Sequence, residues 1–242
     1  MKILITNDDG FDQKGIRLLA EWAKTLGEVT VIAPKVEQSA KSHAIELIKH
    51  IEIKEMPIID GVKVYSMEST PADCVRYGIL GLKEKFDIVF SGINRGVNLG
   101  ADIVYSGTIG AIFEAVRLGV PGIAFSSFPD EQDEAAKHLS VAYDYIIKNN
   151  LLEQNAIYNV NIPADIRNGV RMTYQGTQYF SDRFAPVSGK EGFFVQEGEP
   201  IPDECPEDMD RDTVAILNGY ISVTPLLATR TNMQLFEKYK TK

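Results

Sequence analysis

Residues 1–34, MKILITNDDGFDQKGIRLLAEWAKTLGEVTVIAP, contain the pattern that decides the fold. The apolar run at residues 2–6 is typical of a buried strand, and the NDDG stretch at residues 7–10 is typical of a turn. Apolar residues then recur at helical spacing over residues 15–26, and a second apolar run occupies residues 29–33. This strand–turn–helix–strand order is the repeating unit of a parallel sheet.

The same alternation continues to about residue 162. Further strands are predicted at residues 62–65, 87–90, 121–125 and 157–162, and further helices at residues 108–118 and 133–148 and from Thr70 onward. We therefore expect an α/β fold with a Rossmann-like, doubly wound and mostly parallel sheet. In such a sheet, ligands bind beyond the carboxyl ends of the strands.

Two stretches depart from this alternation. Residues 44–56 partly alternate between apolar and polar side chains, which indicates an antiparallel arm. Residues 163–211 are rich in Gly, Pro, Gln and Ser, which predicts an extension of irregular β-hairpins. Order returns with a strand at residues 220–225 and a short amphipathic helix at residues 232–240.

These patterns predict how the chain is organised. We expect one domain over residues 1–242, with a core at about 1–162 and 212–226, the hairpin extension at about 163–211, and a C-terminal arm at 227–242.

The composition excludes several classes of protein. The 242 residues carry a net charge of −9, which argues against a nucleic-acid polymer as partner. Two cysteines do not make a disulfide framework, and the N-terminus does not read as a signal peptide. No apolar run approaches the roughly 20 residues that span a bilayer, so we expect a cytoplasmic protein that does not enter membranes.

Three polar segments follow predicted strands or open a predicted helix. The first is Asn7-Asp8-Asp9-Gly10, whose adjacent carboxylates repel each other unless a cation or a hydrogen-bond donor lies between them. The second is the glycine-rich stretch from Ser91 to Gly100, which contains Asn94 and Asn98. The third is Tyr105-Ser106-Gly107-Thr108, at a helix N-terminus suited to an anion such as phosphate.

The atoms in these segments that could coordinate a metal ion are all oxygens. The histidines lack metal-ligand spacing, so a site at Asp8 and Asp9 favours Mg²⁺ or Mn²⁺ over zinc. Each segment also has a plainer interpretation as a solvated turn, an ordinary loop or a Ser/Thr helix cap. The loop after the second strand, which contains Ser39, predicts no site when it is taken alone.

Together these motifs resemble the SurE family of nucleotidases. The resemblance also includes Thr70-Pro71-Ala-Asp73-Cys74-Val75 and the stretch from Gly219 to Leu226, so it runs along the whole chain. The sequence departs from the family at Ala40, where the family often has glycine, and at Glu46, near a position where threonine is common.

The resemblance implies a metal-dependent phosphomonoesterase acting on nucleoside 5′- and 3′-monophosphates, and also on short polyphosphate. It implies one divalent metal ion per subunit, on residues that match the family's ligands: Asp8, Asp9, Ser39 and Asn94. The positions that match the family's phosphate contacts are Asn98, Ser106, Gly107 and Thr108. It further implies a homodimer or homotetramer in which C-terminal segments exchange between subunits.

Asp8 is the predicted catalytic residue, and two alternative mechanisms are open to it. It either activates a water molecule or attacks phosphorus directly, and the activated water is the preferred interpretation.

Two other classes of protein share part of this pattern. A receiver domain also has an acidic pair after its first strand, but it needs an Asp at the end of a later strand, where this chain has Ser91-Gly92. A nucleotide sensor would use the same metal ligands without turnover.

Overall fold

A nine-stranded sheet forms the centre of the protein in the computed structural model, which describes residues 1–240. The strands of this sheet are β1 (Lys2–Thr6), β2 (Glu28–Pro34), β3 (Ile53–Glu55), β4 (Lys63–Met67), β5 (Ile88–Arg95), β6 (Gly122–Ser127), β7 (Ile157–Ile162), β8 (Val170–Met172) and β11 (Ile221–Pro225). A separate two-stranded hairpin consists of β9 (Arg183–Pro186) and β10 (Phe194–Glu197).

Helices connect the strands and cover the sheet. The α-helices are α1 (Lys14–Ala23), α2 (Pro71–Arg76), α3 (Gly107–Arg117), α4 (Gln132–Lys137), α5 (Leu139–Lys148), α6 (Leu151–Gln154), α7 (Asp212–Leu217) and α8 (Met233–Tyr239). A π-helical turn (Tyr77–Gly81) follows α2, and a 3₁₀ helix (Gly100–Tyr105) precedes α3. No helix within residues 1–240 is long and apolar enough to cross a membrane.

The strand order is β3-β4-β2-β1-β5-β6-β7-β11-β8. The six strands from β4 to β7 pair in parallel, whereas β3 and β11 run antiparallel to β4 and β7. The chain therefore winds outward in both directions from β1 and β5, and the crevice between them is where such sheets bind ligands. The predicted doubly wound, mostly parallel sheet is confirmed.

Apolar side chains cover both faces of β1. Ile3 and Ile5 belong to one core cluster and Leu4 to another on the opposite face. The first cluster includes a group of aromatic rings in which Trp22 and Phe90 both meet Phe125 edge-on. Strands buried on both faces explain the continuous apolar runs in the sequence.

The structure differs from the sequence prediction in three elements. Strand β5 continues to Arg95, so part of the predicted glycine-rich loop is strand, with an irregular register between Ser91 and Asn94. The helix predicted over residues 133–148 is two helices separated at His138. Of the arm predicted over residues 44–56, only β3 is a strand.

The residues after β7 leave the sheet and return to it. Within residues 163–211, β8 pairs with β11 of the main sheet, and β9 and β10 form the hairpin that projects from it. After β11 the C-terminal arm contains α8, whose end is close to the last described residue, Lys240. The final part of the arm, residues 241–242, lies outside the described residues.

Candidate active site

A cavity of about 1220 Å³ opens at the carboxyl ends of β1 and β5. It contains most of the candidate residues, although they come from four separate segments of the chain. Six of the eight line it: Asp8, Asp9, Ser39, Asn94, Asn98 and Ser106. Gly107 and Thr108 are buried next to it and do not line it.

Asp8 is held by the first turn of α3. Its Oδ1 accepts a hydrogen bond of 2.6 Å from the Thr108 hydroxyl, and its Oδ2 accepts one of 3.1 Å from the Thr108 backbone N–H. Burial raises the pKa of Asp8, and the hydrogen bonds from Thr108 oppose that rise. Thr108 therefore orients Asp8, and the prediction that Thr108 contacts phosphate stays a prediction.

Gly107 is where the backbone of α3 comes closest to this carboxylate. A Cβ atom at position 107 would lie 3.0 Å from both Cβ and Oδ2 of Asp8. Glycine here lets the helix N-terminus reach the carboxylate without displacing it. Gly10, in the turn after β1, is required for a different reason. Its φ of +125° favours glycine, and its backbone N–H and carbonyl hydrogen-bond the Asn7 side chain and so close the turn.

Asp9 lies beside Asp8 and accepts a hydrogen bond of 3.1 Å from the backbone N–H of Arg95. Burial, together with the negative charges of Asp8 and Glu37, raises the pKa of Asp9 to about 6. No Lys, Arg or His side chain within residues 1–240 forms an ion pair with either carboxylate. The pair is thus a concentration of negative charge without a direct counter-charge.

Ser39 and Asn94 complete the oxygen donors at this end of the cavity. The Ser39 hydroxyl donates to Glu37 Oε1 at 2.6 Å. The Asn94 side chain donates through Nδ2 to the Gly96 carbonyl at 2.8 Å, which leaves its amide oxygen available as a ligand.

Asn98 is fixed by a buried polar network that the sequence does not predict. Its backbone N–H donates to Asn161 Oδ1 at 2.8 Å, and its carbonyl accepts from the side chains of Asn159 and Asn161. Its own side-chain amide donates to the Ser126 hydroxyl at 2.8 Å. The sequence signal for this network was a pair of asparagines, separated by one residue, in a strand that is otherwise mostly apolar.

Ser106 begins α3 as its N-cap. Its hydroxyl accepts a hydrogen bond of 3.2 Å from the Ile109 backbone N–H, as expected for a serine at this position. The residue also lines the cavity, so the positive end of the α3 dipole faces the candidate site.

The chemistry of these donors fits a hard divalent cation. No group of three or more His, Cys, Asp or Glu side chains within residues 1–240 is arranged to hold a metal ion. Any ion here would therefore depend on the carboxylates of Asp8 and Asp9 together with the neutral oxygens of Ser39 and Asn94. Such an all-oxygen set suits Mg²⁺ or Mn²⁺, and a cation would offset the repulsion within the acidic pair.

The remaining cavity wall comes from parts of the chain that the sequence did not connect with the site. Five residues next to or within the hairpin line it: Phe180, Asp182, Gln196, Glu197 and Gly198.

The cavity lining as a whole is acidic. Its carboxylates outnumber its basic groups by eight to three: Asp8, Asp9, Asp12, Glu37, Asp102, Asp130, Asp182 and Glu197 against Lys14, Lys35 and Arg95.

Comparison with known proteins points to one family. The family model described as "Survival protein SurE" matches residues 3–182. A 5′-nucleotidase SurE from Thermoanaerobacter sp. (strain X514) is 42% identical over 236 residues, which cover 93% of this chain and 92% of the relative. A 5′-nucleotidase SurE from Legionella pneumophila is 37% identical over 98% of this chain and 95% of its own length.

A solved structure agrees with these matches. The crystal structure of the SurE protein from Aquifex aeolicus superposes with a TM-score of 0.80 at 33% sequence identity. The superposition covers 99% of this chain and 98% of that one. The likeness therefore extends over the core, the hairpin and the C-terminal region together.

Proposed function

This chain belongs to the SurE family, and we propose that it is a divalent-metal-dependent phosphomonoesterase that hydrolyses nucleoside 5′- and 3′-monophosphates to nucleoside and phosphate. The observation that carries the proposal is the adjacent pair of buried Asp8 and partly buried Asp9, which lies against the N-terminus of α3 and lines a cavity large enough for a nucleotide. The printed names of the relatives, 5′-nucleotidase, support the same reaction.

Asp8, Asp9, Ser39 and Asn94 are the residues that would hold one Mg²⁺ or Mn²⁺ ion per subunit. When bound, such an ion supplies Lewis acidity at a phosphoryl oxygen and lowers the pKa of a coordinated water. The acidic pair alone would repel a phosphate, so a cation is the local source of positive charge that this anionic cavity needs.

Asp8 is proposed to take the proton from the attacking water. Its carboxylate is oriented by two hydrogen bonds from Thr108, which limits the positions of its free lone pairs. Asn98 and Ser106, with the positive end of α3, are proposed to hold the remaining phosphoryl oxygens. Their fixed hydrogen-bond partners mean that little reorganisation is needed when the substrate enters.

The charge of the cavity wall bears on which phosphates are accepted. With eight lining carboxylates and three basic groups, each additional phosphate on the substrate adds repulsion that one divalent ion does not offset. We therefore expect monophosphates to be the preferred substrates and short polyphosphate to be hydrolysed more slowly.

The assembly and the location are also proposals. Large apolar side chains of α8 are exposed in the single chain, which suits an arm that exchanges between subunits of a homodimer or homotetramer. The two cysteines are free thiols, as expected for a protein of the cytoplasm.

Substitution of Asp8 by asparagine tests the proposal. Asp8→Asn keeps the size of the side chain but removes a metal-binding charge and the proton acceptor. We expect Mn²⁺-dependent phosphate release from AMP to fall by about a thousand-fold or more, measured by a phosphate assay.

The matched control is Asp12→Asn, because Asp12 lines the same cavity without belonging to the proposed ligand set. Both variants should retain the circular dichroism and urea midpoint of the wild type. Retained activity in Asp8→Asn contradicts the proposed mechanism, and nucleotide binding by the wild type without turnover identifies a sensor instead.

A further inference from the structure

The cavity extends beyond the acidic pair and α3 to a second wall. We call this surface the hairpin wall and define it by Phe180, Asp182, Gln196, Glu197 and Gly198. A phosphate and one ion fill only a small part of about 1220 Å³. The remaining space is bounded on one side by a segment that has no part in the proposed phosphate chemistry.

Phe180 is the feature of this wall that stands out. Phe180 is 39% exposed and lines the cavity, whereas the preceding Tyr179 is only 7% exposed and packs with Leu99 and Ile216. The two rings meet edge-on with centroids 4.9 Å apart. The buried Tyr179 ring thus anchors the segment, and Phe180 stays partly exposed beside the cavity.

The backbone at this point is held firmly. Asp102 Oδ2 accepts hydrogen bonds from the backbone N–H of Tyr179 at 2.9 Å and from that of Phe180 at 2.8 Å. Asp102 belongs to the 3₁₀ helix that ends at Tyr105, directly before Ser106. One short helix therefore fixes both the start of α3 and the position of Phe180, so the distance between the two walls is set by the fold.

A second aromatic residue lies on the same cavity. Tyr105 also lines it and exposes most of its side chain, while its carbonyl accepts a hydrogen bond of 2.9 Å from the Ser42 backbone N–H. Exposed aromatic rings on a rigid backbone are costly in water and favour a planar, weakly polar partner that stacks on them. A nucleobase has that chemistry.

We propose that Phe180, with Tyr105, forms the nucleobase-binding part of the site. The proposal rests on the proposed phosphomonoesterase function and adds a specificity-determining residue to it. Asp182 and Glu197 beside Phe180 repel phosphate, so a nucleoside monophosphate is oriented with its base toward the hairpin wall and its phosphate toward α3. Stacking tolerates any base, so this surface predicts a preference for nucleotides over base-free phosphates rather than for one base.

The test compares two substrates that share a 5-phosphorylated ribose and differ in the base. For Phe180→Ala we expect kcat/KM with AMP to fall by about 5- to 150-fold, with the larger effect on KM, since stacking on one ring is worth that much in other nucleotide sites. With ribose 5-phosphate, kcat/KM should change by less than about two-fold. Phe180→Tyr should retain the activity on AMP because the ring is kept.

Phe184→Ala is the matched control, because Phe184 is an exposed phenylalanine of the hairpin that does not line the cavity. It should leave both substrates unaffected. An equal loss on AMP and ribose 5-phosphate, or no loss on AMP, overturns the assignment of Phe180.

Calorimetric titration with adenosine separates the two proposals because it needs no turnover. We expect adenosine to bind the wild type and to bind Phe180→Ala more weakly by the same factor. A wild type that binds adenosine in this Phe180-dependent way but releases no phosphate from AMP leaves the base-binding surface standing and contradicts the proposed hydrolysis. A wild type that hydrolyses AMP while Phe180→Ala binds adenosine equally well contradicts the base-binding surface alone.

Discussion

Asp8 and Thr108 are 100 residues apart in the sequence, yet a hydrogen bond of 2.6 Å joins their side chains. The sequence motifs predict both residues at the site and predict that Thr108 contacts the phosphate. In the fold, Thr108 is fully buried and directs its hydroxyl at the carboxylate. At the scale of single residues, the structure therefore shows what the sequence did not predict, namely that Thr108 orients the Asp8 carboxylate.

The Thr108 hydroxyl should matter for catalysis more than for folding. Thr108→Val keeps the shape of the side chain but leaves Asp8 Oδ1 without its 2.6 Å partner, so the carboxylate gains freedom to rotate. We expect kcat on AMP to fall by about ten-fold or more, measured at saturating metal.

Thr108→Ser is the matched variant, because it restores the hydroxyl and loses only a methyl group. It should recover most of the activity. If valine and serine lower kcat equally, the hydrogen bond is not what positions Asp8.

The segment that carries Ser39 is an element without regular structure, and α3 holds it in place. It connects β2 to β3 and is tied down where His43 Nε2 lies 2.8 Å from Glu114 Oε2 and where the Ser42 hydroxyl donates to the Val104 carbonyl. The Glu114 side chain, only 2% exposed, also accepts from Arg76 and Arg117. A single carboxylate thus joins α2, α3 and the Ser39 segment.

Loss of this buried charge should destabilise the protein in a pH-dependent way. Burial alone would raise the pKa of Glu114, but hydrogen bonds from Arg117, Arg76 and His43 lower it to about 2. Because the folded pKa lies below the ordinary value of 4.5, the stabilisation is complete above that value and is lost as pH falls from there toward 2.

For Glu114→Gln we expect the free energy of unfolding near neutral pH to drop by about 2 to 3 kcal/mol, measured by urea titration. The difference from wild type should shrink at about pH 3.5. Glu134→Gln is the control, since Glu134 makes an exposed pair with Lys137 and should cost less than about 0.5 kcal/mol. A loss that stays constant with pH would show that the charge is not responsible.

At the scale of the whole molecule, the negative charge is concentrated in one segment. Residues 197–212 contain eight acids and one base, which accounts for most of the net charge of −9. Two of these acids lie inside the fold rather than in solvent. Asp212 accepts from the backbone N–H groups of Gly100, Gly176 and Thr213, and burial raises its pKa to about 6.

The second internal acid, Asp203, fastens the base of the extension. Its carboxylate accepts hydrogen bonds from Thr177 and Thr213 and pairs with Arg211. Burial alone would raise the pKa of Asp203, but these hydrogen bonds hold it well below its usual range. With Asp212, it ties the residues before the hairpin to α7 and to the 3₁₀ helix. Two of the acidic residues in this segment, Asp203 and Asp212, thus position the hairpin wall. The net charge of the chain is therefore not an indication of the charge of its substrate.

The exposed apolar face of α8 should hold subunits together. Met233, Leu235, Phe236 and Tyr239 are all exposed in the single chain. We expect the wild type to sediment as a dimer or tetramer, and Phe236→Glu to shift it toward monomer at the same concentration, because a charge in a buried apolar contact is costly.

Gln234→Glu is the control on the same helix, because it adds the same charge without removing an apolar side chain. It should leave the sedimentation coefficient unchanged. A monomeric wild type, or a Phe236→Glu variant with the wild-type mass, argues against an α8-mediated assembly.

The sequence by itself determined the alternation of strands and helices and the segments that bring Asp8, Asp9, Asn94 and Ser106 to the cavity. Apolar periodicity is local, and parallel strands bring their carboxyl ends to one edge, so the positions of Asp8, Asp9 and Asn94 follow from short patterns and topology. The resemblance between motifs added Ser39, which no local pattern distinguished.

Only the tertiary structure decided how these groups are held and what faces them. The bond from Thr108 to Asp8, the continuation of β5 to Arg95 and the break at His138 depend on contacts between distant segments. The same holds for Phe180 on the far wall, since an irregular, glycine-rich segment has no periodicity to indicate its path. Its position is set by Asp102, 77 and 78 residues away from the two amides it binds, and such pairings are selected by the packing of the whole chain.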